Sequence, residues 1–279
     1  MSIVFKEVNY VYDPRTPFEK KALEHVNMEI SNGDFVTILG RTGSGKSTLL
    51  QLMNGVLRPT SGEVFVDGIS TSEKKDSLFE IRRKVGLVFQ YPEHQFFEEN
   101  VFREIAFGPK NFGVENDELD KVVMEAIDLV GLSREVLSKS PFNLSGGEKR
   151  KVAIASVISC NPEYLVFDEP TSGLDPLSVR LFFDMLEKFR RSGKTIVIVT
   201  HSVKEALQNS ERVIVISKGQ IVFDGGVQEF IKSKNLMEWG MLPPPLYRLA
   251  WRVKEQVEKI NIKNDKLSEA INRLKDMVN

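Results

Sequence analysis

The segment "GRTGSGKST" (Gly40–Thr48) places Gly40, Gly45, Lys46 and Ser47 at the spacing of a phosphate-binding loop. Glycines let a backbone wrap closely enough for successive N–H groups to point at phosphate oxygens. The helix expected to follow, "KSTLLQLMNGV", aims its positive N-terminal end at the same anion. In this arrangement Lys46 reaches the β and γ phosphates and the Ser47 hydroxyl ligates Mg²⁺. A second pair of groups stands in "YLVFDEP", where four apolar residues lead to Asp168 and Glu169. Carboxylates at the end of a buried strand lie where an open α/β sheet binds its ligands. Asp168 suits Mg²⁺, and Glu169 suits polarisation of an attacking water. His201 ends "TIVIVTH" at the exit of another apolar strand. It can reach a γ-phosphate or simply cap the chain, because "SVKE" after it reads as a helix capping box.

A further glycine turn, "LSGGE", lies about a hundred residues from the first. Ser145, Gly146 and Gly147 offer a hydroxyl and exposed amides at the start of the helix "EKRKVAIAS". One phosphate chain does not need two such turns.

These groups need rigid elements behind them. "IVFKEVNYVY", "ALEHVNMEIS" and "GEVFVDG" read as strands, and "FVTILG" as a strand buried on both faces that runs into the glycine loop. Leu119, Val122, Val123, Ala126, Ile127 and Val130 repeat at helical spacing in "NDELDKVVMEAIDLVGL". "YLVFDEP", "LSVRLFFDMLEKFRRSG" and "KTIVIVTHS" then alternate strand, helix, strand, with Gly193 at the helix end. "RVIVISKGQIVFDG" reads as a hairpin turning at Lys218–Gly219. The order predicts an α/β fold with a parallel-rich core and antiparallel additions. Near residue 230 the texture shifts to prolines and a polar amphipathic pattern with a Leu267, Ala270, Ile271, Leu274, Val278 stripe. This predicts a domain over 1–230 and a small C-terminal helical extension over 231–279.

The bulk composition narrows the classes. A chain of 279 residues with 41% hydrophobic and 28% charged residues and net charge −1 shows no bias towards nucleic acid or an anionic surface. Its single cysteine, Cys160, excludes an internal disulfide, fits a reducing compartment and reads as a core residue. The opening residues carry no signal-peptide pattern and no apolar run is long enough to span a membrane, so a cytosolic chain is expected. His25 and His94 lack any comparable setting, and three scattered histidines with one cysteine make no zinc site.

Together these segments resemble the ATP-binding subunits of ABC transporters over nearly all of residues 1–230. "GRTGSGKST" matches Walker A, "YLVFDE" Walker B and "LSGGE" the signature, with Gln90 in "VFQ" as the Q-loop, "SGLD" (Ser172–Asp175) as the D-loop and His201 as the switch histidine. Tyr12 in "VNYVYD" matches the aromatic that stacks on adenine. The resemblance implies the ABC ATPase fold, with a P-loop core sheet, an antiparallel β subdomain and a helical signature subdomain at about 91–160. It implies ATP and Mg²⁺ as cofactors. Nucleotide contacts then fall to Tyr12, to the loop residues Gly40, Arg41, Thr42, Gly43, Ser44, Gly45, Lys46, Ser47 and Thr48, and to Ser145, Gly146 and Gly147. Ser47, Gln90 and Asp168 hold the metal. Lys46, Gln90, Glu169 and His201 form the catalytic set.

In that family two such domains pair head to tail, so the second glycine turn serves the partner's nucleotide. Glu148 departs from the usual glutamine of the signature and adds negative charge there. "QYPEHQFFEENVFREIAFGPKNFG" further resembles the ATPases of energy-coupling factor (ECF) transporters, importers of vitamins and transition-metal ions. That likeness implies a second, related but non-identical ATPase, an integral membrane coupling protein and a substrate-binding membrane subunit. It also implies a peripheral place at the cytoplasmic face of the membrane. Phe96, Phe97 and Phe102 read as apolar anchors for the membrane partner or as subdomain core, with Glu98, Glu99 and Arg103 beside them. Other readings are an ATPase for another ABC transporter class, or a soluble ABC ATPase working on nucleic acid or ribosomes. One cassette, no long coiled coil and no basic face in the sequence speak against the last.

Overall fold

The computed structural model describes residues 1–249 apart from 74, 234 and 246. The expected Leu267–Val278 stripe lies outside the described residues.

Two sheets and two helical layers organise the chain. Strands β1 (Ser2–Tyr12), β2 (Lys20–Ser31), β3 (Phe35–Leu39), β4 (Ser61–Val66), β5 (Ile69–Ser70) and β6 (Val85–Val88) come first, followed by β7 (Tyr164–Asp168), β8 (Thr195–Thr200), β9 (Arg212–Ser217) and β10 (Gln220–Gly226). The helices are α1 (Lys46–Met53), α2 (Lys75–Lys84), α3 (Val101–Asn111), α4 (Asn116–Leu129), α5 (Gly146–Ile158), α6 (Pro176–Arg191), α7 (Val203–Asn209) and α8 (Val227–Lys232). The small sheet has the order β2-β1-β4-β5 and the larger sheet β10-β9-β3-β8-β7-β6. β6, β7, β8, β3 and β9 run parallel, and only β10 pairs antiparallel within the large sheet.

Side-chain alternation along the parallel strands divides the core. Phe35, Leu165, Phe167, Ile196 and Ile198 face one cluster together with the apolar sides of α3, α4, α5 and α6. Val36, Ile38, Val166, Val197 and Val199 face the other, where the small sheet supplies Ile3, Phe5, Val26 and Val64. α1 is caught between the two sheets and buries Leu49, Leu50, Leu52 and Met53. The phosphate loop therefore stands on a helix and a strand that are buried on nearly all sides. That is a rigid mount.

The hairpin turn falls at Lys218–Gly219, both at positive φ (51° and 80°) as a tight two-residue connection requires. α6 ends before Gly193, whose φ of 86° takes the left-handed conformation of a helix stop. Cys160 is half-buried rather than fully enclosed. Burial nevertheless pushes its thiol up to about 11, which keeps it unreactive. Phe96 is 8% exposed and belongs to the core, Phe102 is partly buried against it, and Phe97 stands 58% exposed. Phe97 stacks edge-on against exposed Phe107 at 4.7 Å, and Arg103 pairs with Glu99 at 2.7 Å.

After α8 the chain stays on the cassette. Leu236 and Met241 are buried with Leu39, the last residue of β3, and with Phe230. No described helix is long and apolar enough to cross a membrane.

Candidate active site

The glycine loop, the exits of β7 and β8, the start of β2 and the end of β1 surround one cleft of about 270 Å³. Its wall comprises Tyr12, Lys20, Ala22, Thr42, Gly43, Gly45, Lys46, Ser47, Thr48, Gln90, Asp168, Glu169 and His201. Each group arrives there for a local reason. β3 is followed at once by the loop, so Lys46 and Ser47 open α1 at the cleft floor. β7 and β8 are parallel neighbours, so Asp168 and His201 leave the sheet on the same edge.

Close packing fixes the loop. A side chain at Gly45 would place its Cβ 2.6 Å from the Ala22 carbonyl, and φ there is 110°. At Gly40 a Cβ would fall 2.6 Å from the Ile216 carbonyl. Lys46 is 7% exposed, and its Nζ donates to the carbonyls of Gly40 at 2.7 Å and Arg41 at 3.1 Å. Burial lowers the affinity of Lys46 for its proton, while the charges of Glu169 and Asp168 oppose that shift. Asp168 is 6% exposed. Burial raises its carboxyl, the Ser47 hydroxyl draws it down, Glu169 raises it and Lys46 lowers it, with burial prevailing. A cationic group entering the cleft would relieve that buried acid.

Glu169 has a left-handed backbone, φ 47°, unusual for a residue with a side chain. Its N–H donates to the Val199 carbonyl at 2.8 Å, and its Oε2 lies 2.9 Å from Nδ1 of His201. Ser202 caps α7 by accepting from the Glu205 N–H. The Glu205 carboxylate does not complete a capping box; it accepts from Thr171 and Thr200 instead. The histidine is thus both next to a cap and in contact with Glu169. Tyr12 presents its ring beside the loop, with Oη 3.0 Å from Thr48 Oγ1 and the Tyr10 ring edge-on at 4.8 Å.

Gly40, Arg41 and Ser44 do not form part of the cleft wall. Ser44 Oγ is buried with no hydrogen-bond partner among the described residues. The aliphatic stem of Arg41 lies against Gly240, where an added Cβ would sit 2.4 Å from Arg41 Cδ. Ser145, Gly146 and Gly147 are exposed at the start of α5 and are absent from this wall. Ser145 caps α5, accepting from the Glu148 N–H, and its own hydroxyl donates to the Glu148 carboxylate at 2.6 Å. These bonds hold Glu148 ionised, its carboxyl below the ordinary value.

Lys20 and Ala22 were not foreseen from the sequence. They enter through the sheet: β1 and β2 pair antiparallel and set Tyr12 directly opposite Lys20, in a register that shifts along the strands and that no sequence pattern marks. Among the described residues no cluster of three or more His, Cys, Asp or Glu could hold a metal unaided. Ser47 and Asp168 instead offer two oxygen ligands in one cleft, the incomplete set Mg²⁺ takes when phosphates supply the rest.

The sequence matches the ABC transporter family over residues 23–172. An energy-coupling factor transporter ATP-binding protein, EcfA2, from Clostridium perfringens is 48% identical over 85% of this chain and 84% of its own length. One of the same description from Symbiobacterium thermophilum is 45% identical over 92% and 89%. Among solved structures, CbiO1 from Clostridium perfringens, titled part of the ABC transporter complex CbiONQ, superposes with a TM-score of 0.74. It is 31% identical and covers 93% of this chain and 98% of its own. A dimeric ATP-binding cassette in a post-hydrolysis state with ADP and phosphate also superposes at 0.74, with 32% identity over 81% and 98%. By these relatives, the chain belongs to the ATP-binding proteins of energy-coupling factor transporters, the ATPase subunits of ABC-type importers.

Proposed function

We propose that this ATPase works as one half of a head-to-tail pair whose closure on ATP and Mg²⁺ drives uptake through membrane subunits. The supporting observation is the gathering of Lys46, Ser47, Gln90, Asp168, Glu169 and His201 around one cleft, while Ser145, Gly146 and Gly147 stay exposed away from it. A glycine turn that faces no nucleotide of its own fits a role on the partner's.

In this mechanism the adenine stacks on Tyr12, and the loop amides with the α1 N-terminus cradle the phosphates. Lys46 exchanges the Gly40 and Arg41 carbonyls for phosphate oxygens. Ser47 and Asp168, with Gln90, would hold Mg²⁺, which would supply charge to offset that of the phosphates. Glu169 takes a proton from the attacking water as its oxygen bonds to the γ-phosphorus and the bond to the ADP oxygen breaks. His201 holds the Glu169 carboxylate towards that water. Ser145, Gly146 and Gly147 of the partner close the site from the other side, and release of ADP and phosphate reopens the pair.

The partner reading is a related, non-identical ATPase together with an integral membrane coupling protein and a substrate-binding membrane subunit, and no nucleic acid. That places the chain peripherally at the cytoplasmic face of the membrane, with a vitamin or transition-metal ion as cargo. We assign residues 1–230 to the cassette, with its helical subdomain at about 91–160, and 231–279 to a C-terminal extension. The exposed Phe97–Phe107 pair, beside the Glu99–Arg103 ion pair, suits an apolar contact with a membrane partner's loop. A mild-detergent pull-down of the tagged chain from its native membranes, read by mass spectrometry, tests the assembly. A second ATPase with integral membrane proteins is the expected result. Recovery with ribosomes or repair proteins instead would overturn it.

A further inference from the structure

Arg150 lies in the second turn of α5, only three residues beyond Gly147, and is 9% exposed. Its guanidinium leaves the helical layer and forks onto the loop that follows β7. Nη1 donates to the Ser172 carbonyl at 2.5 Å and Nη2 to the Glu169 carbonyl at 3.2 Å. The loop it grips carries the general base assigned above and opens the Ser172–Asp175 segment.

Two further observations make this contact more than a filled space. Glu169 is held at φ 47°, a conformation that persists for such a residue only where its surroundings dictate it. The Val199 carbonyl fixes its N–H, and its C=O accepts from both the Ser172 N–H and Arg150, so the backbone that aims the carboxylate is clamped from both sides. Second, the guanidinium is buried at a cost to its charge, which the nearby Glu93 carboxylate offsets only in part. Glu93 lies three residues after Gln90 in the short turn Pro92–Gln95, which packs against α5, and its Oε2 is buried with no hydrogen-bond partner among the described residues. One side chain of the signature helix thus stands between the segment after Gln90 and the main chain of Glu169.

We propose that Arg150 is a positioning residue for ATP hydrolysis: its fork holds the Glu169 main chain in the attacking geometry and ties that geometry to the segment after Gln90. A rigid shift of the helical layer would then move the Glu169 carboxylate relative to the bound phosphate, without any change in the phosphate loop. The inference rests on the reading of Glu169 as general base. Two carbonyls on different residues need a planar fork, which a lysine ammonium does not reproduce.

The test uses the full chain in complex with its co-purifying partners and compares Arg150→Lys, Glu93→Gln and Glu169→Gln. ATP turnover against ATP concentration, affinity for a fluorescent ATP analogue and Tm are measured for each. Arg150→Lys is expected to lower the Glu169-dependent kcat by about tenfold or more, as a small misplacement of a reacting group does. KM, analogue affinity and Tm should stay close to wild type, and adding Arg150→Lys to Glu169→Gln should slow turnover no further. Glu93→Gln, which keeps the fork, should give a smaller fall in kcat at unchanged KM, and it carries the test if Arg150→Lys does not fold. Wild-type turnover in Arg150→Lys, or a loss that merely tracks a fall in Tm and a rise in KM, overturns the proposal. Wild-type turnover in Glu93→Gln removes the tie to the segment after Gln90. Undiminished turnover in Glu169→Gln would instead remove the general-base reading itself, whatever the other variants show.

Discussion

Nδ1 of His201 lies 2.9 Å from Oε2 of Glu169, joining the exits of two neighbouring parallel strands. The Glu169 side chain is 12% exposed and that of His201 73%, so the acid sits inside the cleft and the histidine reaches it from the rim. On the proposed reading of Glu169 as general base, a carboxylate held in this way accepts a proton without having to search for its orientation. Glu169→Gln should therefore keep ATP affinity and lower turnover by about 10²–10⁴-fold, with His201→Ala giving a smaller loss. Steady-state ATPase assays beside equilibrium nucleotide binding separate the two effects. Full turnover in Glu169→Gln would assign the proton transfer elsewhere.

Tyr12 is held by Thr48 and Tyr10, so the proposed stacking of adenine on its ring would cost little ordering of the side chain. Tyr12→Ala should weaken nucleotide binding by about 1–3 kcal/mol, the range for a base on an aromatic platform. Tyr12→Phe, which keeps the ring, should restore most of it. Unchanged affinity in the alanine variant would place the adenine elsewhere.

Two glycines of the loop separate backbone strain from crowding. Gly43 has φ 79° and open space around it, whereas Gly45 has φ 110° with the Ala22 carbonyl and Leu23 Cδ2 where a Cβ would go. Gly43→Ala should cost about 1–2 kcal/mol from the left-handed conformation alone. Gly45→Ala should cost more and erase the rise in Tm that ATP produces. Equal effects of the two would mean that the approach of β2 to the loop does not shape the site.

Much of this site is legible in the sequence because its chemistry is local. Lys46 and Ser47 lie in one loop, and Asp168 and Glu169 end one apolar run. The strands that carry them, "FVTILG" and "YLVFDEP", read as buried because both faces are covered. What is not local is hidden. β6 has only four residues and contains Gly86, whose Cβ would fall 2.7 Å from Pro162 and from Val157, so it lacks a strand's usual signature. The Arg150 fork joins residues 19 and 22 positions apart across two elements, and no periodicity marks it. Phe96, Phe97 and Phe102 look alike in sequence, yet only Phe97 stays at the surface: Phe96 turns into the core at the end of the short Pro92–Gln95 turn, and Phe102 packs against that core from α3.

A buried acid outside the cleft sets part of the acid stability. Burial raises Asp67, but hydrogen bonds from Lys84 Nζ at 2.7 Å and Tyr164 Oη at 2.6 Å outweigh it and leave the carboxyl below its ordinary value. A carboxyl depressed in the folded state contributes stability above its unfolded pKa and loses it as pH falls through the folded one. Asp67→Asn should cost about 1–3 kcal/mol at neutral pH, because Lys84 loses its nearest partner and keeps only Glu163 at 3.7 Å. The difference from wild type should close as pH drops below the ordinary carboxylate range. Thermal scans from neutral to acid pH check this, and a pH-independent difference would mean that packing, not charge, accounts for the loss.

The measurement that bears most directly on the account is ATP-dependent pairing of the Glu169→Gln chain with its co-purifying ATPase. It is followed by light scattering, with and without Ser145→Arg in this chain. The composite-site reading predicts a pair that forms only with ATP and Mg²⁺ and is lost in Ser145→Arg, while nucleotide affinity of this chain's own loop is retained. Nucleotide bound at full affinity with no pairing at all, or pairing indifferent to Ser145→Arg, would contradict it.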